Sequence, residues 1–116
     1  MFALIFIMSL AQSAPPADDK VIPLKPRTDP GDWFPLASYP KEARKEHAEG
    51  RVSIQLDVDA TGKPTACRVT ASSGFVSLDE HTCRIAMKTG RYTPKRVNGV
   101  AVPTQTFIRN VIWNLR

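Results

Sequence analysis

Arg51-Val52-Ser53-Ile54-Gln55-Leu56-Asp57-Val58-Asp59 places an apolar residue at every second position. Val52, Ile54, Leu56 and Val58 fall on one side of an extended chain, and Arg51, Ser53, Gln55, Asp57 and Asp59 on the other. That is the pattern of a strand with one buried face. Ala60-Thr61-Gly62-Lys63 then interrupts it with turn-forming residues, and Thr65 to Ala71 resumes the alternation with Thr65, Cys67, Val69 and Ala71 expected inward. Two such runs joined by so short a turn predict an antiparallel hairpin.

On the C-terminal side of the hairpin, Ser77 followed by Glu80 has the spacing of a capping box, and Gly90 offers an exit, so a helix is predicted over Leu78 to Thr89. At about 100° per residue, Leu78, Thr82, Ile85, Ala86 and Thr89 share one arc with Cys83 at its edge. Glu80, His81, Arg84 and Lys88 fall opposite. On the N-terminal side, Pro40 suits the first position of a helix over Lys41 to Glu49 that Gly50 closes in a left-handed conformation. Its inward face is thin, chiefly Tyr39, Ala43 and His47, so it depends on docking. After Tyr92-Thr93-Pro94 and a turn at Asn98-Gly99, Thr106 to Leu115 reads as a third strand, with Phe107, Val111, Trp113 and Leu115 expected in the core and Ile108 and Ile112 facing away.

These segments predict an α+β domain: a two-layer arrangement of a three-stranded antiparallel sheet with two helices on one face, in the order α-β-β-α-β. A chain of 116 residues has room for one such domain. Met1 to Leu10 is apolar and uncharged, and Ser9-Leu10-Ala11 presents small residues where a signal peptidase reads, so residues 1–11 are expected to be a secretory signal, with a mature chain beginning near Gln12. The charged pair Asp18-Asp19 arrives too early for a spanning helix, which needs about 20 apolar residues. Residues 12–38 are expected to be an extended, largely unstructured tether, because seven of the chain's ten prolines lie between Pro15 and Pro40. Trp33-Phe34 is the exception there. Two adjacent aromatics are costly to leave in water and are expected to dock on the domain at 39–116.

The formal net charge of +5 comes from basic residues scattered among acids and apolar residues. A nucleic-acid groove would need a basic stripe with interleaved aromatics, which this sequence lacks. Cys67 on the inward face of its strand and Cys83 at the edge of its helix point toward the same interface. In an oxidising compartment that predicts a disulfide. Metal binding by Cys67, Cys83, His47 and His81 is disfavoured, since His81 and Cys83 diverge around one helix and a zinc site needs converging ligands. Ser72-Ser73-Gly74 lacks the partners of a hydrolase elbow. No cofactor and no catalytic group are expected.

Taken in order, Tyr39-Pro40, Gly50, Gly62, Ser72-Ser73-Gly74, Leu78-Asp79, Tyr92 with Pro94, Asn98-Gly99 and the strand from Phe107 to Leu115 resemble the C-terminal domain of TonB-family energy transducers. The resemblance covers Tyr39 to Leu115. It implies a periplasmic protein-binding domain, not an enzyme, which captures an extended peptide, the TonB box of an outer-membrane transporter, alongside its last strand. Carried onto this chain, the receiving edge is Phe107, Ile108, Arg109, Asn110, Val111, Ile112 and Trp113, with Tyr39 and Pro40 nearby. The partners implied are a TonB-dependent outer-membrane receptor and, given an upstream anchor helix, the ExbB and ExbD proteins. The exposed Ile108 and Ile112 equally suit a second copy of the chain, which would make it a homodimer or a self-associating envelope protein.

Overall fold

The computed structural model describes residues 19–35 and 38–115. The expected signal at 1–11 and the start of the expected tether lie outside them. In chain order the elements are β1 (Val21–Ile22), β2 (Lys25–Pro26), a 3-10 turn (Pro30–Trp33), α1 (Lys41–Lys45), β3 (Gly50–Val58), β4 (Pro64–Ala71), α2 (Val76–Thr89), β5 (Tyr92–Thr93), β6 (Lys95–Val97), β7 (Val100–Val102) and β8 (Thr104–Trp113). The fold is α+β with antiparallel sheets: β4-β3-β8, β1-β6-β7 and β2-β5.

The central strand β3 carries the core. Val52, Ile54, Leu56 and Val58 are all essentially inaccessible, each burial favouring the fold by about 1.5–3 kcal/mol over exposure. α2 covers them with Leu78, Thr82 and Ala86, spaced by four so that they form one buried ridge. Thr89, expected on that ridge, is exposed, while His81, expected in solvent, is half-buried with its ring 5.6 Å from that of Trp113.

Three local departures have plain causes. Ser77 caps nothing: α2 begins at Val76 without a side-chain cap. Instead Asp79 of the first turn reaches back to Ser73, accepting from its amide at 2.9 Å and its hydroxyl at 2.8 Å, and from the Ser72 hydroxyl. The first helix stops at Lys45, and Pro40 is its N-cap. His47 takes the left-handed conformation (φ 52) instead of Gly50, with Ala48 donating to Ala43 at 2.8 Å and His47 to Arg44 at 3.2 Å, a Schellman ending. His47 is therefore exposed and not part of the core. Gly50 starts β3 and is needed for space, because a Cβ there would lie 3.0 Å from Ser73.

Register shifts rewrite the alternation of the outer strands. In β4, Asp57 faces Ala66 while Val58 faces Pro64, so Thr65 is an extra residue, and Thr70 is another where Ser53 faces Ala71 and Ile54 faces Val69. Pro64, Cys67 and Val69 share the face of the buried β3 residues; Thr65 and Ala71 do not. In β8, Val111 faces Val52 and Ile108 faces Ile54, leaving Arg109 and Asn110 both opposite Ser53. Asn110 adopts φ 57, and its amide donates to the Ser53 hydroxyl at 3.0 Å. This bulge turns Ile108 inward and Phe107 outward, the reverse of the expectation for both, while Val111 and Trp113 remain inward.

Cys67 and Cys83 form a disulfide that joins β4 to α2. Residues 19–35 do not hang free as a tether would. Val21 and Ile22 pair with Val97 and Arg96, and Lys25 and Pro26 with Thr93 and Tyr92. Trp33 docks as expected: it is buried, its ring edge-on to Tyr92 at 5.7 Å, and its Nε1 donates to the Thr28 hydroxyl at 2.7 Å. Phe34 packs edge-on to Trp113 at 6.2 Å.

Candidate protein-binding edge

β3 spends both of its edges, one on β4 and one on β8. Among the described residues β8 pairs on one side alone, so its other edge presents backbone donors and acceptors with no strand against them. This edge opens into a groove of about 590 Å³, whose lining includes Thr106, Ile108, Arg109 and Val111 from β8 and Pro30 and Phe34 from across the gap.

The β8 residues divide by face. Phe107 and Ile112 point away from the helices and are 48% and 67% exposed. The Arg109 guanidinium lies 4.9 Å from the Phe107 ring centroid, which holds that ring in place and shields part of it. Ile108 and Val111 pack inward on the core. Asn110 sits between the two pairs at the bulge, exposed. Trp113 belongs to the core at the strand's end, where its Nε1 donates to the Thr82 hydroxyl at 2.9 Å and Thr82 donates onward to the Leu78 carbonyl at 2.7 Å. A buried indole with its hydrogen bond met fixes the end of β8.

Tyr39 and Pro40 stand beside that end and not in the groove. Tyr39 lies edge-on to Trp113 at 5.3 Å, its hydroxyl donates to the Ala48 carbonyl, and burial raises its pKa, with Glu49 adding and Arg44 opposing. The opposite wall comes from Pro26, Asp29, Pro30 and Gly31 of the expected tether and from Phe34 of the pair expected to dock, with Tyr92 between. Burial pushes the Tyr92 hydroxyl up to about 12, so it stays protonated and neutral inside the wall. The signal for this wall in the sequence is Trp33-Phe34, since aromatics that dock carry their neighbours with them.

Among the described residues there is no group of three or more metal-binding side chains, and both cysteines are consumed by the disulfide. His81 is held below its ordinary 6.5 by burial, with the Ser38 backbone opposing, Arg84 adding and Glu42 opposing. Its Nε2 is buried without a hydrogen bond, and it faces Trp113, not the groove. No helix of the described residues is long and apolar enough to cross a membrane.

No curated protein matches the chain by sequence. A family model described as the Gram-negative bacterial TonB protein C-terminal matches residues 35–115, which is most of the chain and includes all of α1, β3, β4, α2 and β8. Domains of this family are periplasmic, transport-associated and non-enzymatic, and they interact with outer-membrane transporters. With an α+β fold, a last strand free along one edge among the described residues and a match of that extent, this chain belongs to the TonB C-terminal domain family.

Proposed function

We propose that the domain captures an extended, TonB-box-like peptide of an outer-membrane transporter by strand addition to β8, as the periplasmic receiving part of TonB-dependent transport. The observation that supports this most directly is the free edge of β8 lying along a groove wide enough to be lined from both sides. Main-chain hydrogen bonds to that edge supply affinity, and the alternation of Phe107 and Arg109 with Ile108 supplies selectivity. The disulfide suits an exported chain. In this reading residues 1–11 direct export, and coupling to ExbB and ExbD requires an anchor helix upstream.

The test is calorimetric titration with synthetic peptides spanning the TonB boxes of the host's own transporters, beside the same peptides with alternate backbone amides methylated. A main-chain hydrogen bond contributes about 1 kcal/mol net, so losing two weakens binding by at least about tenfold. Methylated and plain peptides binding equally would exclude strand addition. A second reading, self-association through the same edge, draws on the exposure of Phe107 and Ile112. Sedimentation over a dilution series separates the two: a dimer that peptide fails to dissociate favours this alternative.

A further inference from the structure

The segment ahead of the family match is built into the groove. Lys20 to Phe34 runs as a strap along the edge of β5 and β6, paired to them at Val21–Ile22 and Lys25–Pro26 and fastened at three further places. At its start, the Asn98 amide donates to the Lys20 carbonyl at 2.8 Å, the Lys20 amide donates to Asn98 Oδ1 at 3.0 Å, and Asn98 Nδ2 donates to Asp19 at 3.0 Å. In the middle, the Arg27 amide donates to the Arg91 carbonyl at 2.9 Å. At its end, Trp33 is buried against Tyr92. Asp29 caps the intervening 3-10 turn by accepting from the Gly31 amide at 2.9 Å, which sets Pro30 and Gly31 as the wall facing β8.

The two ends of the strap are held very differently. Trp33 is a large buried anchor, whereas Val21 and Ile22, 52% and 55% exposed, belong to a strand of two residues whose fasteners are all in water. Such pairing is marginal and opens with little cost. Release therefore starts at Val21 and Ile22 and runs toward Pro30 and Gly31, with Trp33 as the fixed end.

We infer that the strap is a working part of the binding edge: docked, it closes the groove around a peptide lying on β8; undocked, it leaves a bare edge of lower affinity. Peptide capture and docking of residues 20–31 are then coupled, each favouring the other, so whatever draws the preceding chain away from β6 also loosens the bound peptide. This rests on the reading of β8 as the receiving edge and adds its regulation.

The experiment uses the full domain and immobilised peptides spanning the TonB boxes of the host's transporters. Asn98→Gly keeps the turn, where Asn98 has φ 51, but removes two fasteners, and Arg27→Pro removes the third amide donor. Neither side chain lines the groove. If only a tenth of the double variant remains docked, its affinity falls by up to about tenfold, the limit being set by what the bare edge still binds. Hydrogen exchange at Val21 to Lys25 verifies release, and peptide added to the wild type slows exchange there. Should the double variant not fold, a photo-crosslinking residue at Gly31 of the otherwise wild-type chain decides, with crosslinks to peptide expected. Unchanged affinity with a released strap, or no crosslink from a bound peptide, overturns the inference and leaves β8 as the edge. A wild type that binds no peptide overturns both.

Discussion

Cutting the bond between Cys67 and Cys83 isolates what a single covalent link contributes to this small core. The bonded residues are 16 apart in sequence, so the unfolded chain carries a closed loop of about that length. Loop-closure entropy then gives about 3 kcal/mol of stabilisation, set against about 5–15 kcal/mol for a whole domain. For a domain of this size such a loss lowers the Tm by about 12–24 °C. The two cysteines also pack against the core, and that part must be separated from the link. Three proteins do so: oxidised wild type, reduced wild type, and Cys67→Ala/Cys83→Ala. Reduced wild type keeps the sulfur atoms, so its loss measures the link, and any further loss in the alanine variant measures packing. Denaturant unfolding monitored by Trp33 and Trp113 fluorescence gives the free energies. Reduced wild type within about 1 kcal/mol of oxidised would refute the loop argument, showing that residual contacts already restrict the unfolded chain without the bond.

Three further substitutions test the packing around the site. Gly62→Ala places a Cβ 1.9 Å from the Tyr92 carbonyl oxygen at φ +89, while Gly99→Ala at φ +83 meets nothing within 4 Å. Gly99→Ala is expected to cost about 1 kcal/mol from the left-handed conformation alone, and Gly62→Ala at least twice that by denaturant unfolding, with β5 and the strap displaced; equal losses would contradict the contact. The half-buried His81, its pKa below 6.5, makes the unfolded chain bind its proton first as pH falls. Stability is therefore full above about pH 6.5 and declines below it, and His81→Phe flattens the decline measured as Tm against pH; an unchanged slope would assign the acid sensitivity to another group.

The strict alternation of β3 was legible because its residues are buried on one face and both neighbours pair to it, so nothing competes with period two. The same reading failed on β8 at one residue. Asn110 inserts a left-handed step, and from there back toward Thr104 every side chain changes sides, which is why Phe107 is exposed and Ile108 packed. Asparagine tolerates that conformation better than other non-glycine residues, but a lone Asn inside a strand-like run does not announce it. The buried ridge of α2 could be read from spacing apart from its last member, since Thr89 is the final residue of α2 and is exposed. The strap was the largest omission. A proline-rich run resembles a tether when judged alone, and its pairing partners at Thr93 and Val97 are far along the chain, so local pattern carries no trace of them. Trp33-Phe34 signalled docking of one end, without revealing that the docked chain would form a wall.

The step at Asn110 also governs what can be laid along β8. An unbroken ten-residue border would accept any extended chain at any offset, including long stacks of identical molecules growing side by side. Interrupted past its midpoint, it offers a longer stretch before the step and a shorter one after it, so under the proposed strand addition a guest would either stop there or bring a kink of its own. One misplaced residue thereby limits both the length of a compatible visitor and the number of ways it can sit.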